Sequence, residues 1–136
     1  MARSVLVDAG FLVALLSRRD LHHQWAVRQA SENSPPWCTC EAVLSEAYHL
    51  LGQRGGPALT TMLLRKAVVA SFDLDQNLEA VATLLQKYAS VPMSFADGCL
   101  VRMSETVADP VILTTDSDFG IYRRHSRQVV PCIMPQ

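Results

Sequence analysis

Five acidic residues, Asp8, Glu46, Asp97, Asp116 and Asp118, are where this chain could concentrate chemistry. Carboxylates that converge in a folded protein repel one another, which raises their pKa values and disfavours the ionised site. One or two divalent cations would relieve that repulsion. An all-oxygen set suits hard ions, Mg²⁺ or Mn²⁺, and not zinc. The chain shows no nucleophile–histidine arrangement and no glycine loop of the kind that cradles phosphates, so covalent catalysis and nucleotide triphosphate binding are disfavoured. His22, His23, His49 and His125 do not fall at zinc-finger spacing. Cys38-x-Cys40, Cys99 and Cys132 contain no C-x-x-C pair and read as buried thiols.

Each acid also has a local reading. Asp8 is placed to cap a helix beginning at Ala9 or Gly10, and Asp116 to cap one containing Asp118 and Phe119. Asp97 falls three residues after Ser94 in "SFAD", the spacing of a capping box. Glu46 has no such explanation. On a helical wheel of about 100° per residue the apolar face of "EAVLSEAYHLL" is centred between Ala47 and Leu51. Glu46 stands roughly a right angle from that centre, on the border of the buried face, where a carboxylate can lean into a cleft.

The elements that must position these residues alternate between strands and helices. "SVLV" (4–7) reads as a buried strand ending at Asp8, "GFLVALLS" as a helix, and "HHQWAVRQASEN" as a second helix with Asp20 placed to cap it. "WCTC" is a second strand, and "EAVLSEAYHLLGQR" has a clear helical period. Gly55–Gly56 interrupts that period, and "PALTTMLLRKAVVA" resumes as helix. "SFDL" (71–74) reads as a third strand. "DQNLEAVATLLQKYA" is a helix opened by Asp75, and Ser94 opens "FADGCLVRMSETVA". "VILT" is a strand, "DFGIYRR" carries a short helix, and "QVVPCIM" is the final strand. This alternation predicts an α/β fold with a largely parallel sheet and helices on both faces. Parallel strands finish at one edge, where ligands gather, so Asp8, Asp116 and Asp118 should share that edge.

Composition bounds the rest. With 136 residues, 49 % of them apolar and 18 % charged, the chain fits one domain over 1–136 with a substantial core. A formal net charge of −1 gives no basis for strong nonspecific attraction to nucleic acid. The start, "MARSVLVDAGFLVALLSRR", is broken by Asp8, is too short to span a bilayer and lacks a small-residue cleavage site. A soluble, cytoplasmic protein with no membrane association is expected.

Four stretches in this order, "VLVDAGFLVALLSRRDLHH", "EAVLSEAYHLL", "MSFADGCLVRMSE" and "VILTTDSDFGIYRRH", resemble the PIN-domain family almost end to end. The resemblance is to the small single-domain bacterial type that includes VapC-like toxins. It implies a three-layer α/β sandwich whose central, mainly parallel sheet has about five strands. It implies a metal-dependent endoribonuclease acting on single-stranded or loop RNA. The family's acidic quartet falls on Asp8, Glu46, Asp97 and Asp116. Asp8, Asp97 and Asp116 would be metal ligands, Asp118 a further one, and Glu46 would complete the shell or orient the attacking water.

Many members carry Ser or Thr just after the first aspartate, where this chain has Ala9 and Gly10. Thr114 and Thr115 match the hydroxyl-bearing lead-in to the last acid. Thr115 is expected to position Asp116 or the scissile phosphate, and Ser94 is a weaker candidate. Arg18, Arg19, Arg123, Arg124 and Arg127 flank predicted element ends near the acidic edge. Arg18 and Arg124 are the substrate-binding candidates among them, although solvated surface charge is the commoner fate of any one arginine. His22–His23 reads as a helix start, and Trp25 and Trp37 as core or interface. The resemblance also implies a small antitoxin partner that places a basic side chain in the cleft, and a homodimer.

Two other readings compete. A phosphotransfer domain would also place an aspartate after the first strand, but "VDAGF" lacks the second aspartate of a D-x-D motif and the paired acids of a receiver. No lysine follows a later strand. The alternative of a different class is a PIN-fold nucleic-acid-binding or scaffold subunit with little turnover, which a metal-dependent cleavage assay separates from an enzyme.

Overall fold

The structure is a computed structural model that describes residues 3–136. The first strand, β1 (Ser4–Val7), runs through the middle of the molecule, with Leu6 and Val7 almost wholly buried. It leads into α1 (Ala9–Leu16) and α2 (His23–Glu32). Next come β2 (Trp37–Thr39), the long α3 (Glu41–Leu64) and β3 (Val68–Ala70). The helices α4 (Leu74–Lys87) and α5 (Phe95–Glu105) then return the chain to β4 (Pro110–Leu113). A 3₁₀ turn (Ser117–Gly120) and three two-residue strands finish it: β5 (Arg123–Arg124), β6 (Gln128–Val129) and β7 (Cys132–Ile133).

Five strands form one sheet in the order β3–β2–β1–β4–β7, and every pairing in it is parallel. The chain moves outward from β1 to β2 to β3, then crosses back past β1 to β4. With right-handed crossovers, that reversal puts α1–α3 on one face and α4–α5 on the other. The expected α/β sandwich is the observed one. The reversal also makes the β1/β4 boundary a topological switch point, where a crevice opens outside the carboxyl ends of the strands. Val7 pairs with Leu113 in that register, so Asp8 and Thr114 emerge side by side.

The core beneath α1 is aromatic. Phe11 is fully buried and meets Trp25 and Trp37 edge to face, at ring centroid separations of 6.0 and 5.2 Å. Both tryptophans are therefore core residues. No helix among the described residues is long and apolar enough to cross a membrane.

Several element boundaries differ from those read in the sequence. The third strand is Val68–Ala70 and not "SFDL", because Lys66 turns the chain with φ +63° and frees the apolar run after it to pair with β2. Asp73 caps α4 in place of Asp75, accepting from the Gln76 N–H at 3.3 Å. The break in α3 lies at Gly52, φ +63°, and not at Gly55–Gly56, which stay helical. Asp20 does not cap α2 directly. It accepts from the His22 N–H at 2.8 Å, and His22 is the cap residue. "DFGIYRR" is a 3₁₀ turn followed by β5, and "QVVPCIM" divides at Pro131 into β6, which pairs antiparallel with β5, and β7.

Candidate active site

Asp8 closes β1 and caps α1. Its Oδ1 accepts from the Ala9 N–H at 2.7 Å, and its Oδ2 accepts from the Thr114 hydroxyl, also at 2.7 Å. Only 6 % of the residue is exposed. Burial pushes its pKa up to about 6; the two hydrogen bonds oppose that rise, and the charges of Asp97 and Glu46 add to it.

Thr114 is fully buried and bridges two acids. While its hydroxyl donates to Asp8, its Oγ1 accepts from the Asp116 N–H at 3.0 Å. Asp116 caps the 3₁₀ turn, with Oδ1 accepting from the Asp118 N–H at 2.9 Å. The positioning bond expected of Thr115 therefore belongs to Thr114. Thr115 is half-buried and lies over α1. A Cβ built at Gly10 would stand 2.1 Å from its Oγ1, so Gly10 leaves the space this hydroxyl occupies. The site thus has a hydroxyl beside the first turn of α1, although Ala9 and Gly10 carry none.

Asp97 is the third residue of α5. Its backbone N–H donates to the Ser94 Oγ at 3.0 Å, so Ser94 acts as the helix cap. The carboxylate is buried, and its Oδ2 accepts from the Tyr122 hydroxyl at 2.9 Å. Burial raises its pKa, the Tyr122 bond opposes the rise, and the charge of Asp116 adds to it. Tyr122 is itself fully buried, edge to face with Tyr88 and Phe119 at 5.2 and 5.4 Å. Its hydroxyl is pushed up by burial first and then by Asp97, with smaller contributions from Asp118 and Asp116. A buried tyrosine must find a partner for its O–H, which was the one sequence signal that could have pointed to Tyr122.

Glu46 lies in the second turn of α3 and is exposed. It touches the site through its charge on Asp8. The four acids are therefore linked in a chain: Glu46 with Asp8, Asp8 with Asp97, Asp97 with Asp116. Among the described residues no three acidic, histidine or cysteine side chains close into a ready cation cage. The donor set nevertheless fits a hard cation. It is all oxygen, two of its members are buried and hold their protons too tightly, and each carboxylate retains acceptor capacity beyond the bonds named.

The arginines divide. Arg124 donates to the Ser104 carbonyl at the end of α5 and to the Gln128 Oε1 at 3.4 Å, while its buried Nε–H has no partner among the described residues. Arg123 caps the 3₁₀ turn by donating to the carbonyls of Gly120, Ile121 and Tyr122. Arg18 is exposed but sits beyond the far end of α1, away from the acidic edge where it was expected.

Two buried aspartates with further acids at the topological switch point fit the PIN domain, whose family profile matches residues 5–124. The chain belongs to the PIN-domain family. Among solved structures it is similar to VapC20 of Mycobacterium tuberculosis, described as a sarcin-ricin loop cleaving toxin. The TM-score is 0.77 at 24 % sequence identity, covering 87 % of this chain and 94 % of that one. No curated protein matches the chain.

Proposed function

We propose that this PIN-domain protein is a metal-dependent endoribonuclease, organised as one domain over 1–136, that hydrolyses phosphodiester bonds in single-stranded or loop RNA. The observation that carries the reading is the pair of buried carboxylates, Asp8 and Asp97, at the switch point of the sheet, both with pKa values raised chiefly by burial. Asp8, Asp97 and Asp116 would hold Mg²⁺ or Mn²⁺, with Asp118 at the margin. Such an ion, when bound, supplies an activated water and neutralises phosphate charge.

The chain's own residues do the remaining work. Thr114 fixes the orientation of Asp8 and ties it to the Asp116 turn. Tyr122 holds Asp97. Glu46, exposed in the second turn of α3, would complete the shell or orient the attacking water. Thr115 offers its hydroxyl to the scissile phosphate. Similarity to VapC20 supports a ribosomal or other structured RNA loop as the substrate class. It also supports the role of toxin in a cytoplasmic toxin–antitoxin pair, with homodimerisation and an antitoxin whose basic side chain enters the acidic cleft.

The test is cleavage of an end-labelled, structured RNA pool with Mg²⁺ or Mn²⁺, with a chelator, and with Asp8→Asn and Asp97→Asn. Cutting that needs the metal and disappears in both variants supports the reading. Metal binding that is lost in the variants, with no cutting by the parent protein, favours the scaffold alternative.

A further inference from the structure

The acids occupy one end of the α1/α3 pair, and the other end has opposite character. Asp8 caps the start of α1 and senses the charge of Glu46 in the second turn of α3, so these two ends lie together. At the far end Leu16 and Ser17 of the α1 terminus line a cleft of about 350 Å³ with Leu50, Leu51 and Arg54 of α3. The two helices therefore run side by side in the same direction. Arg18 and Arg19, just past α1, complete the cleft with Arg54.

Three guanidiniums share this cleft, and among the described residues no acidic side chain lines it. All three arginines are exposed, and among the described residues none of them forms an ion pair. In a chain with 12 lysines and arginines against 13 acids, such a cluster is a local feature and not a reflection of overall charge. The backbone serves it as well. Gly52, at φ +63° with nothing within 4 Å of a Cβ built there, bends α3 for conformational reasons alone, just before Arg54. Leu50, one turn beyond Glu46, is 57 % exposed and forms an apolar step between the acids and the arginines.

We infer that the Arg18–Arg19–Arg54 cleft is a second subsite for the RNA strand, holding phosphates that flank the scissile bond; this rests on the reading of the acids as a ribonuclease centre. The eight residues of α1 span about 12 Å, at ~1.5 Å per residue. That is several times the ~3.4 Å rise of one stacked nucleotide, so the two ends of the seam meet different phosphates of one strand. An RNA segment lying along the α1/α3 seam reaches the carboxylates with one phosphate and the arginines with another. Guanidinium forks suit phosphate oxygens, and Leu50 presents an apolar surface to an unstacked base. The arrangement separates grip from chemistry, so an acidic cleft can act on an anionic polymer without supplying all of its attraction.

Binding and cleavage are measured separately, with a fluorescein-labelled single-stranded RNA of about twelve nucleotides in anisotropy titrations at several salt concentrations, and with single-turnover cleavage. Arg18→Gln/Arg54→Gln is expected to weaken binding at least tenfold and to flatten the slope of log affinity against log salt by about 1.4, near 0.7 for each phosphate no longer neutralised. The cleavage rate at saturating RNA should stay within about twofold of the parent, and a dinucleotide, whose single phosphate cannot occupy both ends, should be insensitive to the substitution. Unchanged affinity and salt slope, with cleavage intact, overturns the subsite alone and leaves the cleft to another occupant such as an acidic protein segment. Binding that depends on the arginines without any metal-dependent cleavage keeps the subsite and removes the nuclease reading. A parent protein that neither binds nor cuts RNA removes both.

Discussion

Thr114 and Tyr122 show how much of the site is decided by single hydroxyl groups. Thr114→Val keeps shape and burial but removes the donor to Asp8 and the acceptor for the Asp116 N–H. Losing a bond that holds the Asp8 pKa down lets it climb further above about 6. The acidic limb of the cleavage pH profile should therefore move to higher pH, with about 1 kcal/mol of stability lost because a partly buried N–H is left without its partner. Urea unfolding and a pH–rate series measure the two effects. A profile that stays in place would dismiss Thr114 as a purely structural residue. Tyr122→Phe is milder, since the ring fits equally well between Tyr88 and Phe119. Its expected signature is a several-fold higher Mn²⁺ concentration at half-saturation, read by direct titration, with melting nearly unchanged. At this scale the acids were legible in the sequence by type and spacing. Tyr122 was not, because its partnership with Asp97 depends on the chain folding back over α5, 25 residues on.

At the scale of elements the backbone conformations matter most. Residues in the left-handed region usually announce themselves as glycine, but Lys66, His125 and Ser126 adopt it here with φ of 63°, 49° and 67°. That is why the helix appeared to run on through Val68–Ala70, and why the β5–β6 hairpin looked like part of a helix and part of one strand. Gly52 is the opposite case, a glycine whose φ is needed while its neighbours Gly55 and Gly56 stay helical. Gly52→Ala should cost about 1–3 kcal/mol, because φ +63° with ψ −158° is a region almost confined to glycine; thermal melts would read it, and a neutral outcome would mean that the α3 bend relaxes. Gly10 is constrained by contact instead. Gly10→Ser brings a Cβ to within 2.1 Å of the Thr115 Oγ1 and must displace that side chain. Cleavage should drop at least tenfold. Gly10→Ser/Thr115→Ala, which clears the clash and restores a hydroxyl over α1, should recover most of it. A double variant no better than the single would show that the hydroxyl must come from the segment following β4.

For the molecule as a whole, the acidic cleft trades stability for chemistry. Asp8 binds its proton more tightly in the folded chain than in the unfolded one, its pKa rising from 3.8 to about 6. The resulting penalty is absent below about pH 4, grows as pH rises through the interval to about 6, and is complete above it. At ~1.36 kcal/mol per pH unit this is about 3 kcal/mol for a residue almost fully buried. Asp97 acts in the same direction. With a chelator present, this contribution makes the protein melt lower at pH 8 than at pH 5. Added Mn²⁺ should raise the melting temperature at pH 8, where Asp8 is ionised, and do less at pH 5, where a proton already occupies it. Asp8→Asn should abolish cleavage, flatten the chelated pH dependence and raise the metal-free melting temperature at pH 8 by a few degrees, because function-bearing groups are often held at a cost in stability. Thermal melts across pH 5–8, with and without Mn²⁺, read all of this from one protein and one variant. If the chelated protein and Asp8→Asn melt in parallel at every pH, the ionised Asp8 is being compensated inside the fold, and the cation is then not required to relieve it.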